Sequence, residues 1–461
     1  MASSPRLIYE FGSFRLDSAE RRLSLDGEEI SPPLRRLVFD LLVILVENHG
    51  NLMANDRLLK EVWGIDRDTD YRLTVTMAEL RKRLGGDAYI ENVPGCGYRF
   101  IAEVRELRAD QLAAKPVEIA EPPTPGGAVP LSSRHYIARE TDGMFFAAMA
   151  RRDSIVLVKG PPQVGKTSLL ARGAQQARES GATVVLTNLR SINNQTLSSS
   201  DQLLLSLAEQ IADTLDLESA PHKLWNSFLG PSANFQRYLQ RHVLEKLDRP
   251  FVWVIDDVDE LFSCDNKVEI FALFRWLHNL RAYEPDGPWM RLTLALAYAT
   301  EAHLFITDPN QSPFNVGTHF TLEDFTQKQV SDLNKHYGGL LTSEREISRY
   351  FELIGGHPYL TQRGLYQMYQ QRIDLEVVNA KADHDDGIFG NHLRHMWFAL
   401  ERDKDLCDAM RRLLQGQKDP IPLTTETFYR LRSAGILTGD SPVDAQPRCE
   451  LYARYLKKRL L

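Results

Sequence analysis

Lys166 and Thr167 close the run Gly160-Pro161-Pro162-Gln163-Val164-Gly165-Lys166-Thr167-Ser168, a G-x-x-x-x-G-K-T pattern. An ammonium and a hydroxyl at this spacing behind two glycines suit one task, holding a triphosphate. The glycines permit a tight turn whose N–H groups point inward, Gln163, Val164, Gly165 and Ser168 supplying further amides. Lys166 can reach the β- and γ-phosphates, and the Thr167 hydroxyl can hold Mg2+. An apolar strand, Val156-Leu157-Val158, runs into the loop, and an Ala/Leu-rich helical segment leaves it. This strand-loop-helix context places the positive end of a helix at the phosphates. The expected ligand is a nucleoside triphosphate with Mg2+.

A second cluster supplies carboxylates. Phe251-Val-Trp-Val-Ile-Asp256 reads as a buried strand ending in acid, followed by Asp257, Asp259 and Glu260. Asp256 is the candidate for the Mg2+ water shell, and Asp257 for the base that orients the attacking water. Asp259 and Glu260 compete for the second role, although a strand-to-helix turn also accommodates them as solvated residues.

These residues need elements to carry them, and 461 residues with 43% hydrophobic content suffice for about three domains. No stretch reaches the roughly 20 apolar residues of a membrane helix, and the N-terminus has no signal pattern, so a cytoplasmic chain is expected. The four cysteines are widely spaced, which excludes a metal or redox motif. A net charge of −7 gives no global attraction to nucleic acid, so any such contact must be local. Residues 108–134, rich in proline and glycine, read as a linker between residues 1–107 and the rest.

Before the linker, strand-like alternation over residues 7–25 breaks at Asp26-Gly27; helical periodicity follows at 34–47, 55–62 and 72–84, and two strands at 89–93 and 98–103. Leu73, Met77, Leu80 and Leu84 make the apolar stripe of the third helix. Together with Tyr89-Ile-Glu-Asn-Val-Pro-Gly-Cys-Gly-Tyr-Arg-Phe100, this resembles the DNA-binding domain of OmpR/PhoB-type response regulators. The resemblance implies a winged helix that binds double-stranded DNA. Its helix 72–84 would lie in the major groove, offering Arg72, Thr74, Thr76, Arg81, Lys82 and Arg83, and its wing would offer Tyr98 and Arg99. No receiver domain precedes it, so phosphorelay control is not expected.

After the linker, His135-Tyr-Ile-Ala-Arg139-Glu140 resembles the entry motif of STAND and related AAA+ ATPases, with Ala138 where glycine is usual. The resemblance implies ATP/ADP as ligand and Arg139 as a nucleotide-side residue. It also gives Asp257 the place of the usual glutamate, which implies slow hydrolysis. Thr300, ending the strand 292–299, would sense the γ-phosphate, and Pro358 of Gly355-Gly356-His357-Pro358 would pack near adenine. Such a protein has an ATPase core (135–320), a helical lid (321–388) and a winged-helix-like module (389–461). Arg454, Lys457, Lys458 and Arg459 in that module read as a solvated face.

The expected fold is therefore multidomain α/β: a winged helix, a P-loop NTPase with a parallel sheet and helical lid, and a C-terminal winged-helix-like module. The expected function is a one-component, ATP-dependent transcriptional regulator. Nucleotide state would control its self-association into a homo-oligomer, under an inducer or protein ligand that no motif identifies. Two alternatives stand beside it. One is an ATPase of a defence or stress-response system whose winged helix binds a partner or DNA without sequence preference. The other is a nucleotide-binding scaffold without turnover.

Overall fold

A computed structural model describes residues 7–18, 21–25, 28–30, 34–64, 70–86, 88–108, 122, 124–306, 308–415 and 423–461. The expected turn at Asp26-Gly27 falls outside them. The chain divides into two units, residues 1–120 and 121–461.

In the first unit, strands β1 Leu7–Phe11, β2 Phe14–Asp17, β3 Arg22–Leu25 and β4 Glu28–Glu29 form an antiparallel meander. Helices α1 Arg36–Glu47, α2 Asn55–Trp63 and α3 Asp70–Arg83 follow, with the short strand β5 Leu52–Ala54 between the first two. Strands β6 Ile90–Val93 and β7 Gly97–Phe100 then form the wing, and β7 also pairs with β5. The core gathers Leu42 and Leu45 of α1, the stripe Leu73, Met77, Leu80 and Leu84, and the rings of Phe11, Phe14 and Phe100. A Cβ on Gly97 would stand 2.0 Å from the Met53 carbonyl oxygen. Only glycine lets β7 approach β5 so closely. One strand was not foreseen: β8 Arg105–Arg108 pairs antiparallel with β1, beyond the expected end of the wing. The pairing joins the two ends of the unit, a long-range contact that no local pattern announces.

In the second unit, β9 Ile155–Lys159, β10 Thr183–Asn188, β11 Phe251–Asp256, β12 Leu292–Tyr298 and β13 Thr318–Thr321 form a parallel sheet, ordered β10-β11-β12-β9-β13. Every residue of β11 and β12 is buried, as both-face coverage requires. Alternation assigns the faces. Ile155 and Leu157 point into one cluster with Trp253, Ile255 and the helices Ser200–Leu215 and Lys267–Tyr283. Val156 and Val158 point into another with α4 Glu140–Ala150 and α5 Lys166–Glu179.

Helices Gln327–His336, Glu344–Ile354, Pro358–Gln371 and Leu375–Ala380 follow the sheet. After them come Gly390–Glu401, Lys404–Gln415, Thr425–Ser433, a hairpin of β14 Leu437–Thr438 and β15 Gln446–Pro447, and Glu450–Leu460. Lid and C-terminal module share one hydrophobic core, in which Tyr350, Leu353 and Ile354 join Leu431, Leu451 and Leu456. A buried ion pair fastens the C-terminal module to the segment that follows β13. The Arg448 guanidinium, with 4% of its side chain exposed, donates from Nε and Nη2 to both oxygens of Asp324, at 2.8 and 2.5 Å. Gly435 of the module lies against Pro161 and Pro162 of the phosphate loop.

The expected linker is not uniform. Residues 109–121 lie outside the described residues, whereas 124–130 pack on the second unit. There the Val129 N–H donates to Ser168 Oγ at 2.9 Å, and Arg172 donates to the carbonyls of Val129 and Pro130 at 3.1 and 2.9 Å.

Candidate functional site

The tips of β9, β11 and β12 open into one cavity of about 870 Å3. Gln163 and Gly165 take left-handed backbone angles, φ +61° and +106°, which curl the loop before α5 begins at Lys166. The Lys166 ammonium sits over the loop, donating to the carbonyls of Gly160 and Pro161 at 2.8 and 3.1 Å. Burial pulls its pKa down, while Asp259, Asp256 and Asp257 act in the opposite sense.

Asp256 meets Thr167 although β12 separates β11 from β9 in the sheet. The Thr167 hydroxyl donates to Asp256 Oδ2 at 2.6 Å, and Asp256 Oδ1 accepts the Asp257 N–H at 2.9 Å. Burial pushes the Asp256 carboxyl pKa up. A hydroxyl and a carboxylate at this separation are hard oxygen donors that fit Mg2+, which typically takes its remaining ligands from phosphate and water. No group of three metal-binding His, Cys, Asp or Glu side chains occurs among the described residues, so such a cation would depend on the phosphates.

Asp257 lines the cavity in a left-handed conformation, φ +53°. Its carboxylate accepts from Asn188 Nδ2 at 3.1 Å and lies 3.5 Å from Arg190, which also pairs with Glu260 at 3.1 Å. Asp259 is not a solvated turn residue. It accepts from the N–H groups of Ala299 and Thr300 and, at 2.6 Å, from the Thr300 hydroxyl. Thr300 thus lines the cavity with its hydroxyl proton donated to Asp259.

Arg139 lines the cavity too, but braces the loop by donating to the Val164 carbonyl at 2.7 Å, its guanidinium 4.8 Å from the Phe325 ring centroid. Burial lowers its pKa. Pro358, buried at the first turn of its helix, forms part of another wall beside Tyr359 and Gln362. Gly160 stands behind the loop; a Cβ there would meet Val164 at 2.8 Å and the Leu322 carbonyl at 2.9 Å. Sequence reasoning missed Arg190, Arg430, Ser433 and residues 126–129, all of which line the cavity. Arg190 stood within reach of inspection, two positions past β10; Arg430 and Ser433 carried no signal, because their helix Thr425–Ser433 reads as an ordinary amphipathic one.

In the first unit, Arg72, Thr74 and Lys82 are exposed on α3, with Thr76 and Arg83 half-buried. The Thr76 hydroxyl donates back to the Arg72 carbonyl at 2.8 Å. Two candidates have partners within the unit. Arg81 turns inward, donating to the Ile90 carbonyl at 2.9 Å and lying 5.7 Å from the Tyr98 ring centroid. Tyr98 is itself core, 9% exposed. Arg99 pairs across the wing with Glu91 at 3.2 Å.

Fold and site together define a class: a response-regulator-type winged helix fused to a P-loop ATPase-like unit. The chain belongs to the AAA-like domain family, whose model matches residues 124–458. The model described as "Transcriptional regulatory protein, C terminal" matches residues 28–100. Among similar proteins, the transcriptional regulatory protein KdpE of Mycobacterium tuberculosis is 35% identical over 100 residues, 21% of this chain and 43% of that protein. An uncharacterised WD repeat-containing protein of Synechocystis is 27% identical over 247 residues, 52% of this chain and 20% of that protein. The chain thus spans less than half the length of either relative. The Walker-type ATPase PABY2304 of Pyrococcus abyssi shares the fold, with TM-score 0.50 and 17% identity over 72% of this chain and 99% of that one. Among the described residues no helix is long and apolar enough to cross a membrane.

Proposed function

We propose that this chain is a one-component, ATP-dependent transcriptional regulator that binds double-stranded DNA through residues of α3 and the wing. Its second unit acts as a STAND-type switch. One observation carries the reading: Lys166, Thr167 and Asp257 line a single cavity, with Asp256 hydrogen-bonded to Thr167 behind them, in a chain that also carries a winged helix. Lys166 neutralises phosphate charge, Thr167 and Asp256 hold Mg2+, and Asp257 orients the attacking water. Asp257 is the shorter acid and is engaged by Asn188 and Arg190, so turnover is slow and the ATP-bound state long-lived. Ser433 of the C-terminal module accepts the Glu301 N–H at 3.2 Å, and Arg430 lines the same cavity. These contacts support a module that responds to what the cavity holds. Self-association of ATP-bound chains then brings weak winged helices together on repeated half-sites, raising affinity through effective concentration.

Calorimetric titration of the full chain tests the site. Lys166→Ala should weaken ATP binding by about a hundredfold or more, because it removes a charge-assisted phosphate contact, with the fold intact. Undiminished affinity would defeat the assignment. Asp256→Asn should weaken Mg2+-dependent binding, whereas Asp257→Asn should bind ATP normally and turn it over more slowly.

Arg81 and Arg99, two of the five cations expected to contact DNA, already have partners in Ile90 and Glu91, which favours a second reading: an ATPase of a defence or stress-response system whose winged helix binds a partner or DNA without sequence preference. Footprinting on genomic fragments separates the two. Protection of discrete repeated sites supports the regulator; DNA-stimulated turnover without protection supports the alternative.

A further inference from the structure

Among the described residues, four lysine and arginine side chains line the cavity: Lys166, Arg139, Arg430 and Arg190. Lys166 serves the phosphate loop, Arg139 donates to the Val164 carbonyl, and Arg430 pairs with Asp403 at 2.5 Å. Arg190 has donors to spare. Its Nε donates to Glu260 at 3.1 Å and its Nη2 lies 3.5 Å from Asp257, whereas Nη1, with two N–H groups, has no partner among the described residues.

The fold holds this guanidinium beside the carboxylate proposed to orient the attacking water. β10 pairs in register with β11, Asn188 opposite Asp256, so the turn Leu189–Ser191 begins just past that position. Leu189 is buried, the Arg190 N–H donates to Asn188 Oδ1 at 2.8 Å, and Asn188 in turn donates to Asp257. Charge gives the arrangement its use. Asp257 and Asp259 line the cavity, and a third phosphate approaching them meets like charge. The tip of β12 brings no cation against that repulsion: Thr300 donates its hydroxyl to Asp259, and Glu301 pairs with Lys159 at 2.5 Å. β10, which flanks β11 on the side away from β12, brings one.

We propose that Arg190 is the γ-phosphate contact of this site, supplied from the tip of β10, and that it sets the preference between ATP and ADP. This rests on the nucleotide reading above. Nε stays on Glu260 and Nη2 beside Asp257, while Nη1 donates to the terminal phosphate. ADP ends at the phosphate loop and makes no such contact.

The test titrates the full chain, with Mg2+, against ADP and against adenylyl imidodiphosphate, a triphosphate that is not hydrolysed. Arg190→Ala should weaken triphosphate binding by about tenfold or more, the loss of a charge-assisted hydrogen bond, and leave ADP binding within about twofold. Arg190→Lys, which keeps the charge without the fork, should fall between. Arg190→Gln, which keeps a long polar side chain, should match alanine and carries the test if Arg190→Ala fails to fold. Arg430→Ala should leave the ratio of the two affinities unchanged. Equal losses for both nucleotides would make Arg190 a structural residue and overturn the contact, and so would no loss for either, or a ratio that moves in Arg430→Ala instead. An unmodified chain that binds neither nucleotide sinks the nucleotide reading itself; one that binds both, with a ratio that Arg190→Ala does not move, sinks the contact alone.

Discussion

The molecule builds a similar arrangement twice and uses it in opposite ways. Helices α1 to α3 with the wing β6–β7 make one unit of three helices and a hairpin; Gly390–Glu401, Lys404–Gln415 and Thr425–Ser433 with β14–β15 make the other. In the first, the third helix leaves Arg72, Thr74 and Lys82 exposed, and the wing tip Pro94-Gly95-Cys96 is exposed as well. In the second, the third helix buries Phe428 and Leu431 in the core shared with the lid, while Arg430 pairs with Asp403 at 2.5 Å. The closing helix carries cations, but Arg454, Lys458 and Arg459 pair with Glu450, Asp383 and Asp385. Similar shape therefore says little about partner. What differs is where charge is left unpaired and which face is already occupied.

The largest test of this contrast is the buried pair. Asp324→Ala strands the Arg448 guanidinium in the interior, and removing one partner of a buried pair costs about 3 kcal/mol or more. Arg35→Ala breaks the exposed pair with Glu79 on the first unit and should cost about 0.5 kcal/mol or less. Thermal unfolding followed by scanning calorimetry should show the transition of the second unit moving down several degrees in Asp324→Ala. If it moves no further than in Arg35→Ala, the C-terminal module is not clamped as described.

The next effect concerns DNA. Arg72→Ala with Lys82→Ala should weaken binding by about tenfold and reduce the salt slope by about 2, the loss of two phosphate contacts. Lys457→Ala with Lys458→Ala, two cations of the other unit, should change neither. Arg81→Ala belongs to another category, because its guanidinium ties α3 to Ile90; it should lower the stability of the first unit. Mobility-shift titrations at several salt concentrations separate these outcomes, and equal losses from the two double variants would erase the contrast.

How much of this was legible in the sequence depended on the range of the interactions. Lys166, Thr167 and Asp256 were readable because a phosphate loop and an acid-tipped strand are local patterns whose meeting is imposed by a parallel sheet. The stripe Leu73, Met77, Leu80 and Leu84 gave the buried face of α3. That periodicity could not show that Arg81 reaches back to Ile90, because a helical face assigns the Cβ and not the end of a long side chain. The burial of Tyr98 was not legible, because alternation along so short a strand cannot tell the wing's core side from its outer side. Asp259 was misread because its partners, Ala299 and Thr300, lie forty residues on. The packing of residues 124–130 was hidden for a different reason: proline and glycine mark a flexible linker and a packed segment with the same composition.

The smallest expected effect is one of pH, and it also divides the two units. His357 is fully enclosed with Nδ1 unpartnered, and burial beside Arg448 and His392 drives its pKa well below the ordinary value. His392 contacts the Tyr452 hydroxyl at 2.6 Å, and burial followed by the Arg448 charge lowers its pKa to about 4. Both histidines are neutral in the fold, whereas the unfolded chain takes up protons near pH 6.5. Above that value the second unit has its full stability; as pH falls below it the unfolded state binds more protons, and stability drops until the folded histidines titrate as well. Between pH 7 and pH 6 the loss should be about 1 kcal/mol. The first unit holds one histidine, His49, which is partly exposed rather than enclosed. Calorimetric scans across this window resolve the two transitions, and His392→Gln, which keeps a partner for Tyr452 but cannot titrate, should flatten the slope of the second. A second-unit transition that stays constant from pH 7 to pH 5 would mean that these histidines are solvated, and that lid and C-terminal module do not share the dry core described for them.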